Sequence, residues 1–204
     1  MRTIRYLLLL PALLSALLLT ACAPNLSQMP ELPQPPQRLV MYGYSFMPPA
    51  EPGWRVAGRD GNRLVLGKVG ATPDETVIIM SGHALAQAFR SSKEFEQFIR
   101  DRMISDSGPA ERFSVTRNEL TMLRRQGSDC ARVHMTSIDR QAKKRSGKPG
   151  DMVLEIAELF CRHPGNDGIV TYLGYSQRYY SGNRDPDFDA KAGSLLDSLE
   201  LTPF

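Results

Sequence analysis

Apolar and polar residues alternate over Cys130–Asp139 and again over Met152–His163, on either side of the Gly/Pro/Lys-rich stretch Arg140–Asp151. Alternation is the period of a half-buried strand, so the two runs predict a long antiparallel hairpin. Setting Cys130 opposite Cys161 puts Met135 opposite Ile156, Ala131 opposite Phe160, His134 opposite Ala157 and Thr136 opposite Glu155. One face is then mainly apolar and the other mixed, and a one-residue slip would exchange them. Shorter strand patterns cover Arg63–Val69, after the turn Asp60-Gly61-Asn62, and Glu75–Ala84, where Asp74-Glu75 reads as a solvated start. Phe113–Thr116, Glu119–Leu123 and Ile169–Tyr180 are further strand material, the last following the turn His163–Gly168.

Two segments carry the helical period instead. Ser91-Ser92-Lys93-Glu94 is a capping box, in which a Ser oxygen and a Glu carboxylate satisfy the open amides of a first turn. Behind it Phe95, Phe98, Ile99 and Met103 form one apolar stripe, and Gly108-Pro109 ends the segment. Asp185-Pro186 predicts a second helix, with Asp as N-cap and Pro at the first helical position. Its stripe is Phe188, Ala192, Leu195, Leu196 and Leu199. Strands, helix, antiparallel strands, helix is the order of an α+β fold, a twisted and mostly antiparallel sheet packed with helices. We expect a single α+β domain over residues 39–204, with no internal repeat.

The first 21 residues differ from the rest. They hold Arg2 and Arg5 and no acid, so removing them brings the formal net charge of +3 down to +1. The basic isoelectric point therefore argues nothing about nucleic acid. Leu7–Leu19 is apolar but for Pro11 and Ser15, too short for a comfortable membrane span. It ends in Leu19-Thr20-Ala21-Cys22, which resembles the lipobox of bacterial lipoproteins. The resemblance implies a signal peptide over 1–21, cleavage before Cys22 and acylation of Cys22. Several acyl chains together anchor a domain that one holds weakly. Ala23, in place of the Asp that retains such proteins, implies the outer membrane, with the domain facing the periplasm and the inner membrane as the alternative. An ordinary cleavable signal with an incidental cysteine is the competing reading. Residues 22–38 carry Pro24, Pro30, Pro33, Pro35 and Pro36 and read as an extended Pro-rich tether.

Ser45-Phe46-Met47-Pro48-Pro49, followed by Gly53-Trp54-Arg55-Val56, resembles the opening strand of PsbP-like domains, named for an extrinsic photosystem II subunit. The strand pair, capped helix, long hairpin and closing helix with Ser198-Leu199 resemble the same layout over roughly residues 40–202. The resemblance implies a PsbP-like sandwich. It supplies no functional residue, and a fold does not fix a function.

With Cys22 acylated, Cys130 and Cys161 remain. A pair facing one another on neighbouring strands in an oxidising compartment predicts a structural disulfide. The three histidines, His83, His134 and His163, fall in no ligand-spaced motif, so no metal or other cofactor is expected. The sequence contains no GxSxG elbow, P-loop or GxGxxG turn. Asp185, Asp187 and Asp189 lack the Gly and distant Glu of a calcium loop. A non-enzymatic protein is expected.

Two candidate interaction sites stand out. Arg140, Lys143, Lys144, Arg145 and Lys148 place five cations in nine residues at the hairpin tip, with no acid among them. Such a tip suits an anionic lipid surface, an acidic glycan or a partner's acidic face; the competing role is a solvated cap against edge pairing. Tyr175, Arg178 and Tyr179 are the second candidate, since Tyr and Arg are frequent interface anchors. Tyr175 and Tyr179 share one strand face and Tyr172 and Tyr180 the other, so at least one pair belongs to the core. The resulting expectation is a non-enzymatic outer-membrane lipoprotein whose periplasmic domain binds an envelope protein partner or supports complex assembly. The alternative is a module binding anionic lipid or envelope glycan through residues 140–148.

Overall fold

The computed structural model describes residues 26–204. The expected signal peptide, the expected lipidation site Cys22 and the first residues of the expected tether lie outside the described residues. Seven strands form one antiparallel sheet: β3 (Arg55–Arg59), β4 (Leu64–Val69), β5 (Thr76–Leu85), β6 (Phe113–Arg125), β7 (Ser128–Asp139), β8 (Met152–His163) and β9 (Asn166–Tyr180). Their order is β3-β4-β5-β9-β8-β7-β6. Three short strands, β1 (Leu39–Met41), β2 (Tyr44–Phe46) and β10 (Glu200–Leu201), make a second sheet ordered β1-β2-β10.

The hairpin register is the predicted one, with Cys130 opposite Cys161, Met135 opposite Ile156 and Thr136 opposite Glu155. A disulfide joins Cys130 to Cys161 across Cα atoms 4.1 Å apart. Because successive residues point to opposite faces, the two sides of this sheet build separate cores. On one, Ala131, Val133, Phe160, Val170 and Tyr172 pack under helix α1 (Ser92–Asp106) through Phe95, Ile99 and Met103. On the other, Cys130, Leu159, Cys161, Leu173 and Tyr175 meet helix α2 (Phe188–Asp197) and the small sheet, around a fully buried Trp54.

Local expectations shift in four places. The Ser91 side chain caps α1 by accepting from Glu94 N at 3.2 Å, but the Glu94 carboxylate reaches back to Arg90 N at 2.8 Å. Helix α2 begins at Phe188, two residues later than Asp185 as N-cap implies. Asp185 accepts from Asp187 N at 2.9 Å and Lys191 Nζ at 2.5 Å, so it is committed to a turn before the helix. Asp74 and Glu75 are buried rather than solvated. The two expected strands after Gly108 are one, β6, with a bulge between Val115 and Arg117.

The Pro-rich segment departs most from its reading as a free tether. Leu26 is buried and lies against Gly67 and Ile78, on the sheet face that carries α1. The chain then rounds the edge strand β3. Val56 N donates to Pro30 O at 2.8 Å, Leu32 N to Trp54 O at 2.8 Å, and Glu31 pairs with Arg55 at 3.0 Å. Leu32 finishes in the core beneath Trp54. Composition predicted extension, but Leu26–Gln28 form a short 3-10 turn, and only around residues 30–32 do the backbone groups run along the open edge of β3 and pair with it.

Candidate functional site

The β7–β8 connection, residues 140–151, lies at the sheet end that also carries the β4–β5 turn and the chain after β9. At its root Asp139 is fully buried. Burial alone would raise its carboxyl, but Arg112, hydrogen-bonded at 2.8 and 2.9 Å, and Arg178, at 3.2 Å, outweigh burial and hold it low. The loop folds back over the sheet. Ser146 donates its N–H to Asp74 Oδ1 at 2.8 Å and its hydroxyl to Asp74 Oδ2, and Tyr180 adds its hydroxyl at 2.6 Å. The hydrogen bonds from Ser146, then that from Tyr180, keep Asp74 far below the usual carboxylate range. Glu75 beside it accepts from Thr72 N, Tyr180 N and Asn183 Nδ2. Of two sequential carboxylates read as solvent-facing, Asp74 thus fastens the loop and Glu75 ties the β4–β5 turn to the end of β9.

Over this fastening, Lys148 Nζ lies 4.6 Å and Lys144 Nζ 5.5 Å from the centre of the Tyr180 ring, within cation–π range. Lys144 also donates to Gly150 O. Arg140, Lys143, Arg145 and Lys148 are exposed and Lys144 is partly so. None of the five pairs with a carboxylate among the described residues. The arrangement is a held cationic surface rather than a projecting tip.

The second candidate is corrected. Tyr175 is 1% exposed, wedged between Trp54 and Phe188 with ring centroids 6.2 and 5.4 Å away. Tyr179 is buried and donates to Glu155 Oε2 at 3.0 Å. Arg178 is bound to buried Asp139. None of the three offers a surface, because the apolar side of β9 faces α2 and Arg178 is needed to balance Asp139. Tyr172 belongs to the core under α1, and only Tyr180 reaches a surface.

The groups with most chemical potential are tied into the fold. His134 Nε2, Glu155 and Asp189 present ligand atoms within 4.8 Å of one another. Yet Arg184 sits among them, donating to Glu155 at 2.8 and 2.9 Å and to Asp189 at 2.8 Å. Burial would raise Glu155, but bonds from Arg184, His134 and Tyr179 hold it below its ordinary value. A guanidinium already fills the cation position, so this donor set does not suit a metal ion. His163 Nε2 meets Gly43 O at 2.8 Å and Thr202 O at 3.1 Å, and its ring stacks on Phe204 at 4.1 Å. His83 bonds Tyr42 O at 2.7 Å, and burial lowers its pKa. Both fasten the small sheet to the large one.

No family model and no curated protein matches the chain. Among solved structures it is similar to the solution structure of cyanobacterial PsbP (CyanoP) from Synechocystis sp. PCC 6803. The similarity has 11% identity and a TM-score of 0.49, and covers 82% of this chain and 92% of that one.

Proposed function

We propose that the chain is a non-enzymatic outer-membrane lipoprotein, anchored through acylated Cys22, whose periplasmic domain acts by binding. The observation that carries this reading is the state of its charged groups. The reactive side chains named above are committed to structural bonds, while five loop cations, four exposed and Lys144 partly so, have no carboxylate partner among the described residues, on a loop fastened at Asp74. Preorganised, unpaired positive charge is the feature an anionic surface recognises. The ligand chemistry is phosphate or carboxylate, supplied by lipid headgroups or an acidic glycan.

The test uses the full mature chain with Cys22→Ser, which removes the anchor as a source of retention. Wild-type loop and a variant with Arg140, Lys143, Lys144, Arg145 and Lys148 all changed to Gln are compared on phosphatidylglycerol vesicles, neutral vesicles and an immobilised acidic glycan. Since each cation near an anionic surface contributes about 1 kcal/mol, retention on the preferred anion is expected to fall by more than about tenfold. The unfolding midpoint should move only slightly, since no ion pair is lost and only the exposed contacts of Lys144 and Lys148 with Tyr180 and Gly150 go. Retention that persists in the variant and at about 0.5 M salt, where screening is strong, would remove the proposal.

A protein partner in an envelope complex is the second reading. It is favoured by Val40, Tyr42 and Phe204, which are 67%, 58% and 42% exposed on and beside the edge strand β1. Crosslinks from native envelopes that map to β1 and the C-terminus would support it.

A further inference from the structure

We infer that residues 26–32 are an orienting clamp, which lays the 140–148 surface onto the anionic headgroups of the same membrane that holds the anchor. This rests on the proposed acylation of Cys22 and on the cationic loop as an anion-binding surface. It adds which anion is bound, and in what orientation.

Leu26 is the first link. It stands four positions after Cys22, and a chain spans at most about 3.6 Å per residue. An anchor at Cys22 therefore holds the Leu26 position within about 14 Å of the bilayer surface. Leu26 itself is fixed to the domain, because its side chain lies on Gly67 and Ile78, and the segment after it is bonded along β3 through Pro30, Glu31 and Leu32. The Pro-rich stretch consequently does not hold the domain several nanometres away. It acts as a short leash attached at one defined point.

The location of that point decides which surface is presented. Ile78 and Tyr180 lie on one face of the sheet, since Ile78 pairs with Ser176, and Ser176, Arg178 and Tyr180 alternate onto the same side. From Ile78 to the loop fastening at Asp74 is four residues along the chain, about 13 Å at ~3.3 Å per residue. The leash and the two lysines over Tyr180, Lys144 and Lys148, thus share one face of the sheet, at the end that carries the whole 140–148 loop. At the other end of the sheet Ser92 Oγ donates to Asp129 Oδ2 at 2.8 Å, which puts Lys93 and the start of α1 far from the leash. A domain held this close to its own bilayer meets those headgroups at high effective concentration, and the end that meets them carries the unpaired positive charge.

Native lysines report the orientation. The acylated full chain is reconstituted into phosphatidylcholine vesicles with or without phosphatidylglycerol, labelled briefly with a membrane-impermeant amine reagent, and read by mass spectrometry. Lys143 and Lys148 are expected to label about fivefold more slowly in the anionic vesicles, and Lys93 equally in both. At a salt concentration giving half protection, inserting a Gly/Ser spacer of about 20 residues between Ala23 and Pro24 should release the protection, because a longer linker lowers effective concentration. Equal labelling of Lys143 and Lys148 in both vesicle types overturns the inference, as does protection indifferent to the spacer or protection of Lys93 instead. Should one of these results appear while the unacylated chain still binds anionic vesicles through its loop, the orientation alone is overturned. If the unacylated chain ignores every anion, the proposed function fails with it.

Discussion

Glu158 on β8 lies across Gly174 of β9, so close that a Cβ at Gly174 would come within 2.8 Å of Glu158 Cγ. Burial pushes its pKa up to about 7, with Asp106 adding to the rise and Arg102 opposing it. A carboxyl that holds its proton more tightly when folded stabilises the fold fully below the unfolded value of about 4.5. That stability drains away as pH rises towards 7 and stays lost above it. Glu158→Gln is therefore expected to raise the urea unfolding free energy at pH 8 by roughly 1–3 kcal/mol, with a much smaller gain at pH 4.5. Equal gains at both pH values would show that charge is not the cause. Asp74 has the opposite character, held ionised by its donors. Neither state is legible in the sequence. Ser146 and Tyr180 stand far from Asp74 along the chain, and local pattern reads an Asp-Glu pair as a solvated turn.

Among the elements, the β7–β8 hairpin was the most legible, because two long alternating runs and one cysteine pair all fit a single register. The disulfide closes a separation of 31 residues. In the chain-entropy model such a closure contributes roughly 3 to 4 kcal/mol. Cys130→Ala with Cys161→Ala should lower the melting temperature by about 10 °C, at ~2–4 °C per kcal/mol for a domain of this size. A loss of only a degree or two by calorimetry would mean that the packing of Leu159, Leu173 and Tyr175 around the cystine holds the strands unaided. The short strands β1, β2 and β10 left little periodic signal at two or three residues each. The Pro-rich segment was read as an extended, free tether, whereas Leu26–Gln28 form a 3-10 turn and residues 30–32 are bonded to β3. Proline content fixes backbone shape, but whether Pro30 O and Leu32 N find partners depends on the open edge of β3.

For the whole molecule, one sheet separates two cores and two kinds of surface. One end carries the leash and a cationic loop, and the small sheet across the other face exposes Val40, Tyr42 and Phe204. A domain lying on its bilayer by the first would leave the second free for a partner, so the two proposed binding modes are compatible. Both depend on the chain being lipid-anchored outside the cytoplasm. Growth with a labelled fatty acid, followed by density separation of the membranes, tests this most directly. Label should enter the wild-type chain in the outer-membrane fraction and be absent from Cys22→Ser. An unlabelled wild-type chain in the soluble cytosol would contradict the account.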